Sequence, residues 1–205
     1  SMFSRNGAHQ FTGNHSGLVL KIPRRKQREI LDRKEYYRFK KEGGIGMAQS
    51  GFNEKVKLNI KDNFDQSCQM YNAFEEKHHF FASLALKLAE SIGLQHGSSV
   101  LDVGCGSGIS ARVLNKYFSC RVMGVDLSEK MVEAGRLLCD SPDIRLVIGD
   151  GEKLASVVGN RVFDYVLYNA SIFIFPDVEQ ALMEATGCLR PGGKIAFSFY
   201  PSITG

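Results

Sequence analysis

The sequence has no C-x-x-C pair and no clustered histidines, and its five cysteines, Cys68, Cys105, Cys120, Cys139 and Cys188, are scattered and odd in number. Neither a disulfide framework nor a metal site is indicated. No apolar run approaches the roughly 18 residues of a membrane span. The N-terminus also lacks the charged-then-apolar order of a secretory signal. A soluble, cytoplasmic protein without a membrane partner is expected. At 205 residues and 43% hydrophobic content, the chain is long enough to bury one sizeable core.

Charge is unevenly spread. Residues 1–50 hold 11 Lys and Arg against 4 Asp and Glu, whereas residues 51–205 hold 15 against 18. The basic excess therefore belongs to an N-terminal extension, residues 1–50, set before a domain of residues 51–205. Within the extension, Lys21 to Gly44 has Pro23 at a possible helix start and Gly43 at a possible stop, so a helix is expected there. Such a basic helix fits either a nucleic-acid contact or an ordinary solvated face. The Gly-, Asn-, His- and Ser-rich residues 1–17 read as disordered.

Beyond Phe81 two kinds of segment alternate. Phe81, Leu84, Ala85, Leu88 and Ile92 mark one face of a helix that Gly93 stops. The strand "SVLDV" follows, then a helix carrying Ile109, Val113 and Tyr117, then the strand "RVMGVD". Ser128 is placed to cap a helix bearing Met131, Gly135 and Leu138. After it come the strands "IRLVIGD" and "VFDYVLYN", a helix opened by Asp177 with Gln180 three residues on, an "RPGG" turn and a fifth strand, "KIAFSFY". Near-continuous apolar strands separated by amphipathic helices imply an α/β fold, a doubly wound, Rossmann-like and mostly parallel sheet covered on both faces. Ligands in such sheets bind beyond the carboxyl ends of the strands, where strand order reverses.

That position is held by "VLDVGCGSG", residues 100–108. Glycine tolerates φ > 0 and has no side chain, so Gly104, Gly106 and Gly108 let the turn tighten and a ligand approach the main chain. A dinucleotide fingerprint requires Gly or Ala where Ile109 stands, and a P-loop requires a lysine that this turn lacks. What remains is D-x-G-x-G-x-G, from Asp102 to Gly108.

This pattern resembles motif I of the class I S-adenosylmethionine-dependent methyltransferases. The likeness extends over roughly residues 56–200. "GVDLSEKM" carries Asp126 at the end of the second strand, "GDGEKL" carries Asp150, Gly151 and Glu152, and "FDYVLYNASIFIF" with "CLRPGGKIAFSF" matches the fourth and fifth strands. The lead-in "IKDNFDQSCQMYNAFEEKHHFF" is similar to that of the small-molecule branch that includes quinone- and biotin-pathway enzymes. The resemblance implies S-adenosylmethionine as cofactor, with S-adenosylhomocysteine as product. Asp126 would then accept from both ribose hydroxyls, its other reading being a helix cap. Asp150 would accept from the adenine amine, beside the Gly151 N–H and Glu152, with Leu127 and Met131 against the ring; Met131 is equally readable as plain core. Asp102 would orient the loop or meet the amino group of the methionine moiety, which Gly104, Cys105 and Gly106 would approach. Cys105 is expected to be a small side chain on the turn without redox chemistry. Asn169 would contact cofactor or acceptor, or satisfy backbone groups of its turn.

Displacement at a sulfonium needs positioning more than a protein nucleophile, so no catalytic residue is assigned. Tyr71, His78 and His79 are the candidates for a base. "NASI" stands where enzymes acting on planar amide or base nitrogens have Asn/Asp-Pro-Pro-Tyr/Phe, which argues against those acceptors. A small-molecule acceptor is expected. The alternatives are RNA methylation through the basic extension, or a non-catalytic cofactor-binding domain. The sheet stops after its fifth strand, short of the family's usual pair of further strands. Its apolar edge is expected either to continue in a longer chain or to be covered, by a second copy in a homodimer or by "GLVLKI" from Gly17 to Ile22.

Overall fold

The computed structural model describes residues 8–9, 17–21 and 47–198. In chain order the elements are β1 (Ala8–His9), β2 (Gly17–Lys21), α1 (Met47–His78), α2 (Phe80–Ile92), β3 (Ser99–Val103), α3 (Ile109–Phe118) and β4 (Arg121–Asp126). They continue with α4 (Glu129–Leu138), β5 (Ile144–Ile148), α5 (Leu154–Val158), β6 (Phe163–Tyr168), a 3₁₀ turn (Ile172–Ile174), α6 (Val178–Gly187) and β7 (Leu189–Ser198). One sheet runs in the order β1-β2-β7-β6-β3-β4-β5. From β7 to β5 all pairings are parallel. The chain winds outward from β3 in one direction through β4 and β5, and in the other through β6 and β7. The carboxyl ends of β3 and β6 therefore flank the point where the order reverses.

Alternation along each strand divides the core between the two faces. Leu101, Val103, Met123, Val125, Val166, Tyr168 and Ile195 pack with Leu154, Val158, Ala181 and Ala185 of α5 and α6. Their neighbours Val100, Val122, Leu167 and Ala196 pack with Leu88, Ala89, Ala111, Leu114 and Val132 of α2, α3 and α4. Asp102 has the parity of Val100, which directs a carboxylate into an otherwise apolar face.

The local signals hold where they rest on caps. The Ser128 hydroxyl accepts from the Met131 N–H and the Asp177 carboxylate from the Gln180 N–H, and Gly93 closes α2 at φ 62°. The apolar stripes need correction at their C-terminal ends. Tyr117 and Leu138 are exposed, whereas Val113 is buried as expected, together with Ala111 and Leu114. "RPGG" does not break the chain before β7. It is carried inside that strand, with Gly192 at φ 86°, as an irregularity in the pairing with β6.

The open edge of β7 is paired. β2 lies antiparallel on it, Gly17 opposite Ser198 through Lys21 opposite Lys194, so the sheet draws a strand from within residues 1–50. A second copy of the chain is thus not required to cover this edge, and the homodimer proposed for that purpose loses its motive. The basic helix expected over 21–44 falls, beyond Lys21, outside the described residues, as does most of segment 1–17. No helix among the described residues is long and apolar enough to cross a membrane.

An unpaired strand edge is a template for another chain. Deleting residues 1–22 should therefore make the protein self-associate with rising concentration more than the full chain does. Sedimentation velocity checks this, and equal behaviour of the two proteins would show that β2 does not protect the edge.

Candidate functional site

The carboxyl-end loops of β3, β4, β5 and β6 surround one cleft, and α1 closes it from above. Among its lining residues are Gly104, Cys105, Gly106, Asp126, Leu127, Met131, Asp150, Gly151, Glu152 and Asn169. Of the residues singled out in the sequence, Asp102 is absent from this wall: it is wholly buried behind the glycine loop. His78 and His79 are exposed and lie outside the cleft, whereas Tyr71 lines it.

The loop after β3 is shaped by close approach. Gly104, at φ 72°, has no room for a side chain, since a Cβ there would stand 2.5 Å from that of Ser171. Gly106, at φ 53°, faces open space, and its N–H donates to the Asp126 Oδ2 at 2.7 Å. The other Asp126 oxygen accepts from the Ser128 N–H at 2.9 Å. One carboxylate thus joins the end of β4 to the glycine turn. Because a carboxylate offers about four lone-pair sites, acceptor capacity remains on the cleft side. Burial raises the Asp126 pKa, against the pull of the Ser128 and Gly106 N–H groups.

Asp102 is in a harsher position. No hydrogen bond of ordinary geometry reaches either of its oxygens, the Ser110 hydroxyl being the one side-chain donor that acts on them. Burial first, then the charge of Asp126, push its pKa up to about 7, and the Ser110 hydroxyl offsets this only in part. The Cys105 thiol is likewise driven well above its usual value, by burial and then by Asp126 and Asp102, which leaves it unreactive.

Asn169 is fully engaged: its amide donates to the Phe81 carbonyl and the Ser110 hydroxyl, each at 3.0 Å, and its Oδ1 accepts from the Ser198 hydroxyl at 2.9 Å. These bonds tie β6 to α2, α3 and β7; none of them goes to backbone groups of its own turn, the structural role expected for it.

The lead-in helix contributes residues that sequence reasoning missed. Lys57 is buried on α1 and places its ammonium 2.8 Å from Asp150 Oδ2 and 2.6 Å from Glu152 Oε2. Burial works to lower its pKa, but the hydrogen bonds to both acids outweigh this and hold it above the ordinary value. Further along α1, Asp65 accepts from the Ser128 hydroxyl and the Lys130 N–H. Asn72 then accepts from the Ser107 hydroxyl at 2.6 Å. Tyr71 stacks on Phe81, ring centroids 5.7 Å apart, and Phe81 is tied through its carbonyl to Asn169. Read along the helix, Lys57, Asp65 and Asn72 meet the loops after β5, β4 and β3 in turn, which is their order across the sheet, and Tyr71 reaches the loop after β6 only through Phe81. At its end, Glu75 accepts from the Phe81 and Ala82 N–H groups and so caps α2, the chain turning through a left-handed His79.

Comparison with known proteins places this architecture. Residues 101–197 match the family described as a methyltransferase domain, and residues 53–147 match that of mycolic acid cyclopropane synthetase. The demethylmenaquinone methyltransferase of Staphylococcus aureus is 31% identical over 144 residues, which are 69% of this chain and 57% of that one. The malonyl-[acyl-carrier protein] O-methyltransferase of Priestia megaterium is 24% identical over 146 residues, 71% of this chain and 52% of that one. The chain therefore spans little more than half the length of these relatives. Among solved structures, the methyltransferase in complex with the Trm112 activator of Haloferax volcanii superposes with a TM-score of 0.56 at 27% identity, over 64% of this chain and 57% of that one. Phosphoethanolamine N-methyltransferase 2 of Haemonchus contortus, solved with S-adenosyl-L-methionine, gives 0.50 at 25% identity, over 55% of this chain and 27% of that one.

Two expectations follow from the electrostatics. Because the folded Asp102 keeps its proton up to about pH 7 and an unfolded one loses it near 3.8, stability is greatest at low pH in this window and is lost as pH rises toward 7. Asp126, shifted the same way, adds to the trend. The melting temperature should fall between pH 5 and pH 8, and Asp102→Asn should flatten that fall and raise the value at pH 8. A flat profile in the parent would contradict the buried acid. Separately, Lys57→Met removes the close partner of Glu152 and Asp150, leaving Asp150 only Lys153 at 3.7 Å, and should cost about 3 kcal/mol in urea denaturation. Adding Glu152→Gln to Lys57→Met should recover part of the loss.

Proposed function

This chain belongs to the class I S-adenosylmethionine-dependent methyltransferases, and on that premise we propose that it binds S-adenosylmethionine in the cleft under α1 and transfers its methyl group to a small-molecule acceptor. The observation that carries the reading is the Asp126 carboxylate, held 2.7 Å from the Gly106 N–H on the same cleft wall. It joins the acid after the second parallel strand to the glycine turn after the first.

The residues fit the group. Gly106 presents main chain to open space, Asp126 retains acceptor capacity for a ribose diol, and Leu127 and Met131 offer apolar surface for a ring. Asp150 and Glu152, with the Gly151 N–H between them, stand at the adenine end, their orientation fixed by Lys57. Asp102 supports the loop from behind. When bound, the cofactor supplies a methyl group on a sulfonium, a leaving group that is already activated. The chain's own share is positioning: α1 spans the cleft and excludes water, and ties at three loops hold the groups in register. None of the aligned groups has to act as a nucleophile.

The relatives named above differ in acceptor, so a small molecule is inferred from their common class and not from any one of them. Cys68, Cys105, Cys120 and Cys139 are free thiols, which suits a reducing compartment, and we assign the protein to the cytoplasm on that ground.

Titration calorimetry with S-adenosylmethionine and S-adenosylhomocysteine tests the proposal. Micromolar binding by the parent chain should weaken at least about tenfold in Asp126→Ala, the loss expected for a charge-assisted pairing. Equal affinity in the folded variant would remove the ribose assignment.

A further inference from the structure

The cleft is chemically divided. Its charged lining residues are Lys57, Lys61, Asp126, Asp150 and Glu152, all toward the loops after β4 and β5. They are already matched: Lys57 with Asp150 and Glu152, Lys61 with Asp65, and Asp126 with two backbone N–H groups. The half toward β6 is walled by Phe64, Tyr71, Phe81, Phe173 and Ile174. Its polar side chains are consumed within the protein. Asn169 uses both amide hydrogens and its oxygen, and the Ser171 hydroxyl donates to the Val103 carbonyl at 2.6 Å. The Tyr71 hydroxyl is different, since it has no hydrogen-bond partner among the described residues. Its ring is held from two sides, tilted on Phe64 at 5.5 Å and stacked on Phe81 at an interplanar angle of 21°.

We infer that the acceptor is a neutral, flat aromatic molecule bearing a hydroxyl or carbonyl oxygen, which lies against this aromatic wall and hydrogen-bonds through that oxygen to Tyr71. The inference rests on the cofactor reading given above, which assigns the other half of the cleft. An ion entering the β6 half would lose water without meeting an opposite charge, and that cost disfavours both anions and cations. A cation could draw on the ring faces. However, Tyr71 and Phe81 spend facing surfaces on each other, which leaves a flat layer and not a cage. Offset stacking on that layer suits a planar ring, and one oxygen suffices to satisfy Tyr71.

Four probes of one size separate these cases: naphthalene, 2-naphthol, 2-naphthoate and 2-naphthylmethylammonium. Each is titrated into the full chain saturated with S-adenosylhomocysteine and into Tyr71→Phe, which keeps the stacked ring. 2-Naphthol should bind about tenfold tighter than either ion and about fivefold tighter than naphthalene, and Tyr71→Phe should abolish its advantage over naphthalene. The inference is overturned by an ion that binds as well as 2-naphthol, by a naphthol no better than naphthalene, or by a preference that survives Tyr71→Phe. The S-adenosylhomocysteine titration of the same samples distinguishes the two levels. Its failure in folded protein overturns the cofactor reading and this inference with it, whereas tight S-adenosylhomocysteine binding without the naphthol preference overturns the inference alone.

Discussion

A buried ammonium is costly unless it is closely paired, and Lys57 meets that condition twice, with Asp150 and with Glu152. The placement of α1 depends on this pairing. A mainly polar helix of 32 residues has no broad apolar stripe to bind it to the sheet, so it is fastened at points. Lys57, Asp65 and Asn72 each reach a different loop, and Tyr71 with Phe81 reaches the fourth. The same atoms that hold the helix also fix the loop acids, so the closure of the cleft and the orientation of its polar groups are one constraint.

Beneath that closure the site carries electrostatic tension. Asp102 and Asp126 end or interrupt adjacent parallel strands, both are raised in pKa by burial, and the charge of Asp126 raises Asp102 further. A fold built for stability alone would place an apolar residue at position 102, between Val100 and the loop. Retaining a carboxyl group there, with no hydrogen bond of ordinary geometry to either oxygen, is a cost that the packing of the sheet does not account for.

What could be read from the sequence was local. The bounds of "SVLDV" and "RVMGVD", the caps at Ser128 and Asp177 and the glycine turn each depend on residues within a few positions, and the structure has them as expected. The partners of α1 could not be read in this way. Lys57 and Asp150 are 93 positions apart, Asp65 and Ser128 63, and nothing near Lys57 distinguishes a buried lysine from a solvated one. The stripes failed at Tyr117 and Leu138 for a related reason: periodicity does not say which residue of the final turn meets the core, and in α3 it is Phe118, not Tyr117. For Asn169 the sequence offered a ligand contact or the satisfaction of backbone groups of its turn, whereas its bonds go to Phe81, Ser110 and Ser198, tertiary neighbours that nothing near it in the chain names.

The pairing of Gly17 with Ser198 also sets an order of events during synthesis. β2 leaves the ribosome early, but its partner β7 is the last of the described strands to be made. At common elongation rates the wait is about 10–40 s. Through that interval the parallel core can assemble from β3 onward, because its contacts are between near neighbours in the chain, while β2 has no sheet to join. Edge closure therefore comes late in synthesis: a nascent chain stalled before β7 leaves β2 without its partner strand, and one that has released β7 does not.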